Sequence, residues 1–160
     1  MRFTGAFLVG ILPAILCSNC HASPAAPTST PSTPGGALAG EWSGTGSDSQ
    51  GAEEMTWVLT QRGDTVSGSV NTQSTNPTDG SCASCHKNKS GTLSGTIADS
   101  VLRLTMYFPT GGDVPTPICS VTMVASAEGF TVDRIAAPYS GGDTCEGPFT
   151  DGAFEMLHQR

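Results

Sequence analysis

From about residue 37 onward, apolar side chains recur at every second position. In "MTWVLTQ", Met55, Trp57 and Leu59 share one face, and Thr56, Val58 and Thr60 the other. In "VLRLTMYF", Leu102, Leu104, Met106 and Phe108 lie opposite Arg103, Thr105 and Tyr107, and "AFEMLH" groups Phe154, Met156 and His158. Thr, Val and Ser dominate and no long helical period survives, which is strand composition. Turn signals punctuate the pattern at "RGD" 62–64, "ADS" 98–100, "AEG" 127–129 and "GGD" 141–143. The pattern predicts eight strands near 40–46, 54–61, 65–71, 91–98, 101–108, 118–126, 130–136 and 152–158.

Tight turns between most neighbours predict an antiparallel meander. Eight such strands remove their exposed edges by closing, so the expected fold is an all-β, eight-stranded, up-and-down barrel. A two-sheet sandwich fits the same pattern. "TVSGSV" (Thr65–Val70) and "TLSGTI" (Thr92–Ile97) form a weak repeat, with Gly68 and Gly95 in mid-strand. Glycine there costs strand stability and marks a coil, a bulge or a close approach, as a tightly curved wall requires.

The N-terminal region breaks this pattern. "MRFTGAFLVGILPAILC" has one Arg followed by an apolar run too short to span a bilayer comfortably, which reads as a secretory signal peptide over 1–22. A lipid anchor at Cys17 or Cys20 is the alternative, although Leu16 and Asn19 fit such a site poorly. Residues 23–36, "SPAAPTSTPSTPGG", have almost nothing apolar to bury and predict a disordered tether. The barrel domain is expected over 37–160.

Export places the remaining cysteines, Cys82, Cys85, Cys119 and Cys145, in an oxidising compartment, periplasmic or extracellular. Without Arg2 the chain has 6 Lys and Arg against 14 Asp and Glu, a net charge of −8. That balance disfavours nucleic acid and anionic membranes as partners. No membrane span is expected, and the protein is expected to be a monomer.

"GEWSG" (Gly40–Gly44) resembles the Gly-x-Trp that opens the first strand of lipocalins and avidin-like barrels. More closely, the layout resembles a family of small exported bacterial β-barrels of unassigned function. The matching pieces are Trp57-Val58-Leu59-Thr60-Gln61, Gly63, Val66-Ser67-Gly68, Ser90 to Gly95, and Phe149 to Phe154. This resemblance covers about 40–160 and implies a fold and a place outside the cytoplasm, but no activity. In such barrels the first-strand Trp, here Trp42, plugs one end of the core, with ligand stacking the competing role.

Cys119 and Cys145 flank late strands, and a disulfide between them would pin a long connection to the wall, stabilising by about 3 kcal/mol. "DGSCASCHKNKSG" carries Cys-x-x-Cys-His at Cys82, Cys85 and His86, the c-type haem attachment pattern. Two thiols would add to two vinyl groups and His86 would ligate the iron. Lys87 and Lys89 would pair with propionates, and the sixth position would be filled by Met55, Met106, Met156 or His158 or left open. Against haem, the motif lies in a polar connection rather than on a helix, and the next strand resumes five residues after Cys85. The alternatives are a Cys82–Cys85 disulfide or cross-pairing with Cys119 or Cys145. A thioredoxin-type redox pair would need a helix N-terminus.

Zinc would need His86 and His158 together with the cysteines, and is not expected. Asp143, Glu146 and Asp151 hint at calcium without the EF-hand spacing. Glu53 and Glu54 read as a solvated strand start. No Gly-x-Ser-x-Gly or zinc-protease His-Glu motif supports hydrolysis.

The sequence therefore predicts an exported, non-enzymatic barrel, a binding or envelope module for a small apolar ligand, with no cofactor. The ligand-facing candidates are Trp42, Trp57, Leu59, Leu104, Met106, Phe130, Phe154 and Met156. The alternative is a haem c protein for electron transfer or gas binding.

Overall fold

The computed structural model describes residues 36–75, 88–110, 119–145 and 147–160. The expected signal peptide, nearly all of the tether, and the Cys82, Cys85 and His86 motif lie outside the described residues.

Eight strands close into an antiparallel barrel in sequence order: β1 (Gly40–Asp48), β2 (Gly51–Arg62), β3 (Thr65–Ser74), β4 (Lys89–Ala98), β5 (Val101–Phe108), β6 (Val121–Glu128), β7 (Arg134–Asp143) and β8 (Gly147–Gln159). Closure is made by β1 against β8, where Trp42 faces His158 and Gly46 faces Phe154. Among the described residues no helix is long and apolar enough to cross a membrane.

The period of two survives almost intact. Met55, Trp57 and Leu59 point inward, as do Leu102, Leu104, Met106 and Phe108, and they meet Phe154 and Met156 in one core. Wall curvature is written in glycine. A Cβ on Gly68 would lie 2.1 Å from Val58 O, and one on Gly95 would meet Arg103 O at 2.6 Å. Only a residue without a side chain lets the neighbouring strand approach that closely.

The seventh strand departs from expectation. It was predicted over 130–136 and begins instead at Arg134, running on through Pro138 and the Gly141–Asp143 turn signal. Gly129 takes φ +66°, and the Thr131 hydroxyl accepts from the backbone N–H of Asp133 and Arg134. Those bonds hold 129–133 as a turn, so extension cannot start earlier. Gly141 sits in the strand because a Cβ there would strike Thr122 O at 2.1 Å.

The two ends differ. One carries the Asp48–Gly51 turn, the start of β4, Cys119 and the β7–β8 connection. The other carries the Gly63–Asp64 and Asp99–Ser100 turns and the 129–133 connection. The second end is closed by Trp42, which donates its indole N–H to Leu38 O at 3.1 Å and stacks on His158 with ring centroids 4.7 Å apart.

Candidate functional site

Inside the wall an aromatic chain crosses from β7 to β2. Tyr139 stacks on Phe154 at 6.1 Å, and Phe154 meets Trp57 edge to face at 5.1 Å. Tyr139 also meets Phe149 edge to face at 5.9 Å. Strand β1 lies between β8 and β2, and its inward Gly46 gives up its volume: a Cβ there would sit 2.6 Å from Met55 Cε. Side chains of the two flanking strands therefore meet over β1.

Trp57 is buried, and its Nε1 has no hydrogen-bond partner among the described residues. A buried indole N–H left unmet costs free energy comparable to a lost hydrogen bond. Trp42 contrasts with it, because its N–H is met by Leu38.

Above the aromatic chain, the first end is polar. The Tyr139 hydroxyl donates to Asp48 Oδ2 at 2.7 Å and lies 3.4 Å from Glu53 Oε1. Burial first, then the Glu53 charge, then the bond to Asp48, push the phenol far above its ordinary value, so it remains a proton donor. Gln50 Nε2 donates to Asp143 Oδ2 at 3.2 Å. Lys89 Nζ donates to Cys119 O at 2.6 Å.

Two expectations, for Glu53 and Phe130, are corrected here. Glu53 is not part of a solvated strand start: it is fully buried, in phase with Met55 and Trp57, while Glu54 is exposed. Lys89, named in the sequence as a partner for haem propionates, is buried in the barrel end, and its Nζ donates to a backbone carbonyl. Phe130 does not lie on a strand: it sits on the β6–β7 connection, half-buried against the core. Trp42, Trp57, Leu59, Leu104, Met106, Phe154 and Met156 are all buried, but Trp42 stands at the closed end, whereas Trp57 and Phe154 meet in the interior.

Cys119 and Cys145 form a disulfide, with Cα atoms 5.6 Å apart. The bond joins the entry to β6 with the exit from β7. Asp143 lies against it and accepts from Cys145 N at 2.7 Å. Asp143 and the two cysteines bring their ligand-type atoms within 4.8 Å, but both sulfurs are spent on the disulfide and offer no thiolate to a metal. Asp143, part of the calcium hint, accepts from Cys145 N and Gln50 Nε2, and Glu146 lies outside the described residues.

Sequence reading named Glu53, Lys89 and Asp143 but missed their burial at the polar end, and it did not single out Tyr139. For Glu53 the signal was available, since its parity matches the apolar face of β2. For Tyr139 it was not, because its partners Asp48 and Glu53 lie 91 and 86 residues away.

No family model and no curated protein matches this chain. Among solved structures, it is similar to a redesigned β-barrel, mFAP1, bound to DFHBI, with a TM-score of 0.51 and 12% identity over 77% of this chain and 95% of that one. It is likewise similar to EF1p2_mFAP2b bound to DFHBI, with a TM-score of 0.51 and 10% identity over 78% of this chain and 94% of that one. At such identity the likeness is one of fold: this chain is a closed, eight-stranded antiparallel barrel.

Proposed function

We propose that the protein is an exported barrel that holds one small, largely apolar molecule against Trp57, Phe154 and Tyr139. The single observation that carries this reading is the buried Trp57 N–H, which finds no acceptor among the described residues. A ligand carbonyl or ring nitrogen would supply one, while the surrounding rings would cover its apolar body. Eight-stranded barrels have interiors that side chains just fill or that take one small ligand. Two solved structures of similar fold are bound to DFHBI, which supports a small-molecule reading. Export is supported by the Cys119–Cys145 disulfide, a bond that persists in oxidising compartments.

The test compares matched aromatic molecules, an aryl methyl ketone and the ethyl arene of the same shape, by calorimetry and thermal shift. The ketone is expected to bind about fivefold more tightly, the worth of one hydrogen bond near 1 kcal/mol. Trp57→Phe keeps a ring and removes the donor, and should erase that preference. If neither molecule binds or raises the melting temperature, the reading is wrong.

A further inference from the structure

The barrel wall is not equally sealed all round. Seven of its eight seams carry seven or more residue pairs. The β6–β7 seam carries five, and its register stops at Ala125 opposite Tyr139. Beyond that point Ser126–Glu128 remain paired to β5, and Arg134–Pro138 remain paired to β8. The two strands continue, but not with each other.

Sequence explains the parting. Pro138 stands at the first position past the last pair and has no N–H to give a ladder. The register between β7 and β8 shifts between Tyr139 and Gly141, a bulge that bends β7 at Ser140. The lower half of β7 thereby follows β8 and leaves β6. A surface recess of about 320 Å³ lies where the strands part, lined by Val124, Ala125, Ser126, Pro138, Tyr139 and Ser140.

The inner side of the seam is slightly less tightly covered at its last pair. Ile97 on β4 is only partly buried, and among the buried inward apolar side chains, otherwise 0–4% exposed, three stand slightly higher: Ala125 at 7%, Ala137 at 6% and Tyr139 at 5%. All three flank this seam. On β6 the inward side chains here are the small Ala125 and Ala127, whereas β7 sets Ala137 between Ile135 and Tyr139. Phe130, on the connection joining the two strands, packs half-buried against the core. The polar end is the less suitable route for an apolar molecule, since Glu53, Lys89 and Asp143 are buried there and the disulfide staples it.

We propose that the β6–β7 seam is a lateral portal, closed by the Phe130 side chain, through which a flat aromatic molecule bearing one hydrogen-bond acceptor reaches Tyr139, Phe154 and Trp57. This rests on the binding reading above. The seam sets the shape: the parting of two strands admits a plane more readily than a globular molecule. Trp57 sets the acceptor.

The experiment has two arms on the full-length protein and its Phe130→Ala, Pro138→Val and Val132→Ala variants. Phe130→Ala removes the stopper. Pro138→Val restores the N–H and lets the ladder extend. Val132→Ala lies on the same connection but alters an exposed side chain, and serves as the control. In the first arm, stopped-flow exchange of the aryl methyl ketone should quicken about fivefold or more in Phe130→Ala, through loss of the phenyl contact with the core. Association and dissociation should rise together, with the dissociation constant nearly unchanged. Pro138→Val should slow both, and Val132→Ala should change neither.

The second arm needs no ligand: acrylamide quenching of the two buried tryptophans should increase in Phe130→Ala, decrease in Pro138→Val and stay level in Val132→Ala. A ketone that binds with rates indifferent to all three variants overturns the portal and leaves the binding reading standing. A ketone that does not bind overturns the binding reading, and quenching then decides whether the seam opens: a quenching constant unmoved by Phe130→Ala and Pro138→Val sinks the portal by itself.

Discussion

Tyr139 donates its phenolic proton to Asp48 across 2.7 Å, tying β7 to the end of β1 on the far side of the closure strand β8. The same hydroxyl faces the buried Glu53 carboxylate. Replacing Tyr139 by Phe keeps the stack on Phe154 and removes the donor from two acids. Stability to urea should fall by about 1–3 kcal/mol, the usual cost of depriving a partly buried acceptor of its donor. A loss below a few tenths of a kcal/mol would show that water already serves both carboxylates.

The same phenol gives the fold an alkaline limit. Its folded-state pKa stands above the ordinary value of 10.0, because burial and the Glu53 charge disfavour the phenolate. A raised folded pKa means that its contribution is held in full below about pH 10 and is lost as pH rises further, when the unfolded chain releases the proton first. Urea midpoints from about pH 8 to about pH 11 should therefore fall more steeply in the wild type than in Tyr139→Phe. Parallel profiles would contradict the assignment.

Barrel closure was legible because alternation is local. Any window such as Met55–Leu59 or Leu102–Phe108 states which side faces inward, whatever its neighbours do. Strand β7 was illegible because Pro138, Gly141 and Gly142 look like a loop, and they are tolerated in the strand by the bulge beside them and by the close approach of Thr122. The polar end was illegible for another reason. A charged residue in an apolar phase is ordinarily read as solvated, and what buries Glu53 or Lys89 is supplied by strands far away in sequence. Local pattern carries the wall, whereas interior chemistry depends on register summed around the barrel.

Adjacent glutamates test this directly. Glu54→Ala changes an outward side chain and should shift stability by less than about 0.5 kcal/mol. Glu53→Ala removes a fully buried carboxylate that faces Tyr139, and should cost more than about 1 kcal/mol. Equal effects in chemical denaturation would place both residues in solvent and undo the inward assignment of Glu53.

Replacing both Cys119 and Cys145 by Ser should lower stability by about 3 kcal/mol, given their separation of 26 residues. The loss should be felt first at the polar end, because Lys89 and Asp143 bond to the backbone of the two cysteines. Hydrogen exchange should quicken at Ser120 and Thr144, which bond across the staple, before it quickens in β2. Uniform acceleration throughout the barrel would mean that the disulfide acts on the whole fold and not on its end.

The β4–β5 hairpin turns through Asp99 and Ser100, at φ +51° and +63°, with Ala98 facing Val101. Both turn residues occupy the left-handed region that a two-residue hairpin of this hand demands. Asp tolerates that region through its short polar side chain, whereas Ser has less to gain there. Glycine adopts it freely, but the unfolded chain gains entropy with glycine and offsets part of the relief. Relief of about 1–2 kcal/mol against an offset of about 0.5–1 kcal/mol leaves Ser100→Gly more stable by about 0.5–1 kcal/mol. The gain should appear as a higher urea midpoint with an unchanged slope, because the native surface is the same. A lower midpoint would mean that the Ser100 side chain makes a favourable interaction in the folded turn that outweighs its backbone strain.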